Sequence, residues 1–335
     1  MSLGFGSLTL QIYPPDTDMT GNFSTLDIAE SVHSLEWVTD ITTGQAGKLI
    51  VQTIDDGRIA PKEGWHVFCS IDGARIFQGR LFTKEKSGNN NHWTLTAFDK
   101  LIYLKNTDTV VFKASRAGDI FRHVCQLAQV PSQVIDMGNY WCPEMIQDQT
   151  SYFSMIQHAL DLTLINAGQW LVLQDNLTRL EIVDVLRMDT PILIGDNSLA
   201  TDYTYKSSIE DTFNQIKLTQ DNADTNRREV FVVTDSNKIN AWGLLQHHES
   251  VDERLSPQQV AERANLMMRA KSNPKRDFTV ECQGVVDIKA GRSIYVSFSS
   301  LASEGLSRIS RAIVMKCVHN WSGELHTMSL TLRVV

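Results

Sequence analysis

Apolar and polar residues alternate with period two from Ser7 to Tyr13, and Pro14-Pro15 closes the run, which predicts a half-buried strand. The same alternation predicts strands at Ser31–Trp37, Lys48–Ile54, Trp65–Ile71, Ala74–Lys84 and His92–Phe98. Asp72-Gly73 is a two-residue hairpin signal between two of them, and Ser87–Asn91 reads as a looser, exposed tip. From about Asn106 the period changes. Ala117, Ile120, Phe121, Val124 and Ala128 fall on one helical face behind Ser115 as cap, with Pro131 ending the run. A second helix is expected from Thr150 or Ser151 to Asn166, showing Phe153, Ile156, Leu160 and Leu164 on one face, with Gly168 as its stop. Two short strands, Trp170–Leu173 and Thr178–Val183, turn at Asp175-Asn176. Strand patterning returns after about Thr201, at Phe213–Thr219, Glu229–Thr234, Asp277–Gln283, Ser293–Phe298, Ala312–Asn320 and His326–Val334, with Ser322-Gly323 joining the last two. One long helix, about 256–272, interrupts this block. Ser256-Pro257-Gln258-Gln259 opens it as a capping box with proline at the first helical position, and Asn273-Pro274 ends it. Its stripe of Val260, Ala264 and Met267, with Met268 beside it, is expected to pack on the second of two barrels, the one that the strands of this block form.

The pattern divides into three expected domains: 1–105, all β; 106–200, a small α/β module; and 201–335, β with the long helix. The outer two look like copies of one unit. Gly64–Ile71 lines up with Gly291–Phe298, and a lysine stands two residues before each glycine, at Lys62 and Lys289. Gln78–Thr83 then matches Arg311–Lys316, Trp93–Ala97 matches Thr327–Leu332, and Leu49–Gln52 matches Phe278–Glu281. Two unrelated antiparallel meanders also align by strand period, so the shared order of glycine, strand, long hairpin and closing strand is what favours duplication. The fold class expected is mainly β with an α/β insert: two small antiparallel barrels bridged by the central module. Such an arrangement suits a protein that stacks or closes a ring more than one built around a single pocket.

Composition narrows the functional classes. The 335 residues are 42% hydrophobic and 21% charged, an ordinary globular balance. A net charge of −8 disfavours general nucleic-acid or anionic-membrane binding, which needs a basic face. No secretory signal is expected from an N-terminus whose first basic residue is Lys48, and no apolar run reaches membrane length. Cys69, Cys125, Cys142, Cys282 and Cys317 are widely spaced without a CxxC pair, which argues against a disulfide framework or a cysteine zinc site and for reduced thiols in a protein made in the cytoplasm. There is no nucleophile elbow, P-loop, dinucleotide fingerprint or HExxH. His247-His248-Glu249 reads as a polar loop or turn, since neighbouring residues point different ways and no third ligand stands at chelating spacing. His319 and His326 flank the Ser322-Gly323 turn and can face each other across it. The expectation is of no catalytic site, no metal and no cofactor. One stretch departs in charge: Asp252–Arg276 carries a net +3 within the chain of −8. Arg263, Arg269, Lys271, Lys275 and Arg276 suit the C-terminal end of a helix through its dipole, or form a basic face that docks on an acidic neighbour.

Collinear segments carry a resemblance. They are Phe77–Lys86, Leu95–Leu104, Phe213–Leu218, Arg228–Val232, Lys238–Gln246, Glu249–Glu253 and Gly323–Val334. In this order, from about Ser31 to the C-terminus, the chain resembles the XkdQ/YqbQ family of prophage tail proteins. The resemblance implies a baseplate hub of a contractile phage tail or phage-tail-like bacteriocin. It implies two tail-tube-like barrels per subunit, so that a homotrimer presents six barrels to a hexameric tube. The implied partners are further copies of the chain, the tail tube protein, a spike protein and other baseplate proteins, in a virion or tail-like particle assembled in the bacterial cytoplasm. It carries no catalytic motif. The alternatives are a tail-tip cell-wall hydrolase, which a peptidoglycan zymogram would reveal, and a peptidoglycan-binding module on Asn106–Leu199, which co-sedimentation with cell walls would reveal.

Overall fold

The computed structural model describes residues 7–15, 26–41, 44–55, 57, 61–86, 91–196, 198–222, 227–251, 253, 255–304, 306, 308–323 and 325–334, so most of the expected Ser87–Asn91 tip lies outside the described residues. The chain divides into two compact units. One comprises Met1–Leu164, Gln169–Thr204 and Phe278–Val335; the other comprises Ile165–Gly168 and Tyr205–Asp277.

In the larger unit the first strands are Leu8–Tyr13 (β1), Val32–Asp40 (β2), Lys48–Ile54 (β3), His66–Ile71 (β4), Ala74–Lys86 (β5) and His92–Phe98 (β6). They run in the order β2-β3-β6-β5-β4-β1, each antiparallel to its neighbours. The period-two alternation sets one face of this meander: Leu10, Ile12, Leu49, Val51, Leu81, Leu95 and Ala97 are buried in one cluster.

The segment that follows adds the helices Ala117–Leu127 (α1) and Tyr152–Ala167 (α2), and the hairpin Leu171–Asp175 (β7) to Leu180–Asp184 (β8). Its β content exceeds the expectation, because Thr107–Phe112 also pairs with Met145–Ser151, and Ser115–Arg116 with Trp141–Cys142. Both helix readings need correction. Ser115 does not cap α1: its hydroxyl donates to the Lys113 carbonyl, and the Asp119 carboxylate closes the first turn by accepting from the Arg116 backbone N–H. The inward face of α2 is Tyr152, Met155, Ile156, Ala159, Leu160 and Thr163, while Leu164 is exposed. Thr163 is tolerated inside because its hydroxyl donates to the Ala159 carbonyl, a bond that apolar periodicity cannot reveal. Asp189–Gly195 (β9) and Ala200–Ser208 (β10) follow.

The smaller unit holds Gln215–Asn222 (β11), Arg227–Thr234 (β12), the helix Ser236–Trp242 (α3), Gln246–Val251 (β13) and the helix Pro257–Lys271 (α4). Strand β11 is central, antiparallel to β12 and parallel to β13. His247, His248 and Glu249 therefore stand on a strand rather than in a loop. The run contains one apolar residue, Val251, so it lacked the alternation that marks a strand. Helix α4 begins as the sequence predicts, with Ser256 and Gln259 capping each other reciprocally. Its buried stripe, Val260, Ala264 and Met267, packs on Ile216, Leu218 and Val251 of this three-stranded sheet. The stripe's partner is thus not the repeated strands of the third block, because β11–β13 supply a complete apolar face within the helix's own unit.

The chain then forms Lys275–Gln283 (β14), Ser293–Ser297 (β15), Ser310–Ser322 (β16) and Leu325–Val334 (β17). The order is β10-β14-β17-β16-β15, which repeats β2-β3-β6-β5-β4 strand for strand. The repeat extends to register. Leu49 faces Ala97 and Val51 faces Leu95 in the first set; Phe278 faces Leu332 and Val280 faces Leu330 in the second. Both long hairpins slip at the same place, between Leu81 and Thr83 and between Val314 and Lys316. The turn that precedes β4 and β15 is also repeated. Gly64 donates to the Leu81 carbonyl at 2.7 Å and Gly291 to the Val314 carbonyl at 2.8 Å, at φ of +85° and +90°. That left-handed conformation is why a glycine marks each turn. The sets differ at one flank: β1 is antiparallel to β4, whereas β9 is parallel to β15. Altogether 13 strands form one sheet, and among the described residues no pairing joins its ends.

Candidate assembly surfaces

The two sets of strands meet within the chain. The first half of β16, Ser310–Ile313, pairs with β15; its second half, Lys316–Ser322, runs antiparallel to β2, from Lys316 opposite Asp40 to Ser322 opposite Ser34. Rings stack along this joint. The His319 ring, fully buried, lies 5.1 Å from Trp37, and Trp321 lies 4.2 Å from His326, nearly parallel. His319 Nε2 is 2.7 Å from the Ile288 carbonyl, which can only accept, so Nε2 carries the proton and Nδ1 accepts from His326 Nε2 at 3.0 Å. The two histidines do face each other across the turn, as a neutral hydrogen-bonded pair. Burial holds both imidazoles down to about 4; the Ile288 carbonyl partly opposes this at His319. A side chain at position 284 would meet the His326 ring at 2.2 Å, so only glycine fits beside the stack.

The counterpart of this joint is open. In the first set, Ala74–Arg80 of β5 pairs with β4, but the second half, Thr83–Lys86, has β6 as its one strand partner among the described residues, with Lys84 Nζ donating to the Pro61 carbonyl at 3.2 Å and Lys86 paired with Asp55. Thr83, Glu85 and Lys86 are exposed, and Phe82 at the bulge is 41% exposed, where its counterpart Met315 is 6% exposed against Val172 and Val183. The counterpart of β2 is β10, which ends the sheet and, among the described residues, borders only β14. Thr201, Asp202, Thr204 and Lys206 on it are exposed. Two matching edges of one repeated joint are therefore unpaired, a state that invites strand addition. Strand β10 escaped the sequence reading; Tyr203 and Tyr205 between threonines and Lys206 were the available signal.

The five basic residues singled out from sequence do not act alike. Arg263 forms an ion pair with Glu249 at 2.7 Å, and Lys271 lies over the Phe213 ring at 5.8 Å. Arg269, Lys275 and Arg276 are exposed, Lys275 standing 3.8 Å from Asp277. The end of α4 is held by another cation: Lys238 Nζ donates to the Ser272 carbonyl at 2.8 Å.

Catalytic candidates are occupied structurally. His247 lies 3.3 Å from Glu249, and His248 Nε2 lies 3.2 Å from the Thr219 hydroxyl. All five cysteines are unpaired and buried, and burial raises every thiol, Cys125 to about 11 and Cys282 to about 12, which keeps them out of the reactive thiolate form. Among the described residues no three His, Cys, Asp or Glu side chains converge on one point.

Comparison with known proteins matches this architecture. A family model described as YQBQ-like matches residues 35–333. The protein YqbQ of Bacillus subtilis (strain 168) is 26% identical over 325 residues, 91% of this chain and 95% of the relative. The phage-like element PBSX protein XkdQ of the same strain is 25% identical over 300 residues, 85% of this chain and 88% of the relative. Among solved structures, the 43 kDa tail protein of prophage MuSo2 from Shewanella oneidensis superposes with a TM-score of 0.70 at 13% identity, over 97% of this chain and 98% of that one. At that identity the likeness is one of fold.

Proposed function

The chain belongs to the YqbQ-like family, and from that premise we propose that it is a structural component of a phage-tail or tail-like baseplate, forming a trimeric ring between tail tube and spike. The observation that carries this reading is the half-used joint. Within one chain, β16 of the second set pairs with β2 of the first. The equivalent edges, Thr83–Lys86 of β5 and the outer side of β10, are left for another copy. Repeating the internal joint between chains makes a head-to-tail interface, and such interfaces close into rings when the rotation permits. Three chains then supply six quasi-equivalent sets, each curved into a tube-like barrel, which meet a hexameric tube without mismatch. The work is structural rather than enzymatic: the repeated fold supplies interfaces, while His319, His326 and the five thiols are spent on packing.

The stoichiometry of tail particles tests this reading. Three copies of the chain per six-fold tube ring, located at the tube's end by electron microscopy, is the expected result; one or six copies, or a position away from the tube, contradicts it. The exposed basic residues Arg269, Lys275 and Arg276 are proposed to seat the ring on an acidic neighbouring surface. Reversing all three to Glu is expected to lower the recovery of assembled particles. Monomer stability should change by about 0.5 kcal/mol or less, because exposed charges contribute little to folding. Normal particle yield from the triple variant would place the contact elsewhere.

A further inference from the structure

The larger unit contains a cleft of about 190 Å³ whose lining includes Arg75, Gln78, Asp99, Asp175, Lys289 and Arg292. Its negative charge is already engaged. Asp175 accepts from the Lys100 backbone N–H at 2.9 Å and forms an ion pair with the Lys100 ammonium at 3.4 Å. Asp99 Oδ1 accepts from the Leu101 N–H at 3.0 Å; burial together with the Asp175 charge pushes its carboxyl above the ordinary range, against the Leu101 and Gly47 backbone N–H groups and the Lys100 charge. Asp40 at the rim has a partner of its own, and Asp287 is exposed.

Its positive groups lack a direct side-chain partner among the described residues. Lys289 makes no hydrogen bond or contact ion pair there; burial, followed by the nearby Arg292 charge, lowers its ammonium, and the more distant charges of Asp175, Glu181 and Asp99 partly oppose this. The Arg292 Nε and the Gln78 Oε1 are both buried without a partner. Two neighbouring cations, one with an orphaned guanidinium donor, are costly in one cleft unless an acceptor satisfies them; the Gln78 Oε1, itself an acceptor, calls for a water. The arrangement is not a by-product of the repeat. The counterparts of Lys289 and Arg292 are Lys62, which is exposed, and Trp65, which carries no charge.

We propose that this cleft binds a small phosphate-sized oxyanion, held by the Lys289 ammonium and the Arg292 guanidinium. Water has about 30 Å³ per molecule in the liquid, so the volume admits such an ion with a few waters. This site is independent of ring formation.

Inorganic phosphate titrated into the full chain, at constant ionic strength with chloride as reference, tests it. Phosphate is expected to raise the melting temperature and to bind with measurable heat. Lys289→Met should weaken binding roughly tenfold or more, the loss of one charge-assisted hydrogen bond. Lys62→Met at the equivalent exposed position should leave it unchanged. Should Lys289→Met fail to fold, arsenate soaked into crystals of the unaltered protein decides instead: anomalous density beside Lys289 Nζ is expected. No phosphate-specific heat or melting shift, equal effects of the two lysine variants, or a cleft holding only water would overturn the proposal.

Discussion

Replacing Met267 by Asp is expected to unfold the Tyr205–Asp277 unit while the larger unit persists. Met267 is 5% exposed and sits with Val260 and Ala264 against Ile216, Leu218 and Val251. Removing a buried methionine side chain costs about 2–5 kcal/mol, and a carboxylate left in the same place adds the penalty of an unpaired buried charge. A loss of about 4 kcal/mol or more would consume most of the stability of so small a unit. Limited proteolysis of the full chain should then cut within 205–277 and spare the repeated strands, whereas Met267→Leu, which nearly conserves volume, should melt close to the parent. Unchanged melting and protease resistance in Met267→Asp would show that the stripe is not a core.

Acid is expected to loosen the joint between the two sets of strands. His319 and His326 are neutral in the fold at about 4, against about 6.5 in an unfolded chain. A base whose folded value is depressed takes up its proton more readily when unfolded, so the stability of keeping it neutral is complete above pH 6.5 and is lost as pH falls toward 4. For the fully buried His319 the difference corresponds to about 3 kcal/mol, with less from the half-buried His326, whose charge solvent screens. Protonation of both rings also ends the hydrogen bond between them, since two N–H groups would then face each other. Urea midpoints should fall markedly between pH 7 and about pH 4.5, and His319→Phe should flatten that dependence. The variant should also lose about 1–2 kcal/mol at pH 7, because the Ile288 carbonyl loses its donor. An equal acid slope in parent and variant would assign the effect to other groups.

The repeated strands were legible because half-buried antiparallel strands write their register into the chain. Leu49, Val51, Leu95 and Ala97 alternate with polar residues, and the two turn glycines fix where each meander starts. The start of α4 was legible for a similar reason, since capping is local chemistry at Ser256 and Gln259. Where partners are remote in sequence, legibility ended. Ser115 looked like a cap, but its hydroxyl had a nearer acceptor at Lys113. Strand β13 carried histidines and a glutamate where a strand pattern needs apolar residues, and its parallel pairing with β11 depends on the chain between them. The apolar stripe of α4 was visible, but a stripe does not name the sheet it covers. The open edges of β5 and β10 became evident only once the internal joint showed what such edges pair with.

The ring itself is tested most directly by joining those edges covalently. Lys84 on β5 is replaced by cysteine and combined in turn with cysteine at Asp202, Thr204 or Lys206 on β10, in a chain whose own five thiols are buried. Mild oxidation of assembled protein should trap, at one of these registers, a ladder of cross-linked species that ends at three chains. Failure to cross-link at every register, or a ladder that runs past three, would contradict a closed trimer built by repeating the β16–β2 joint.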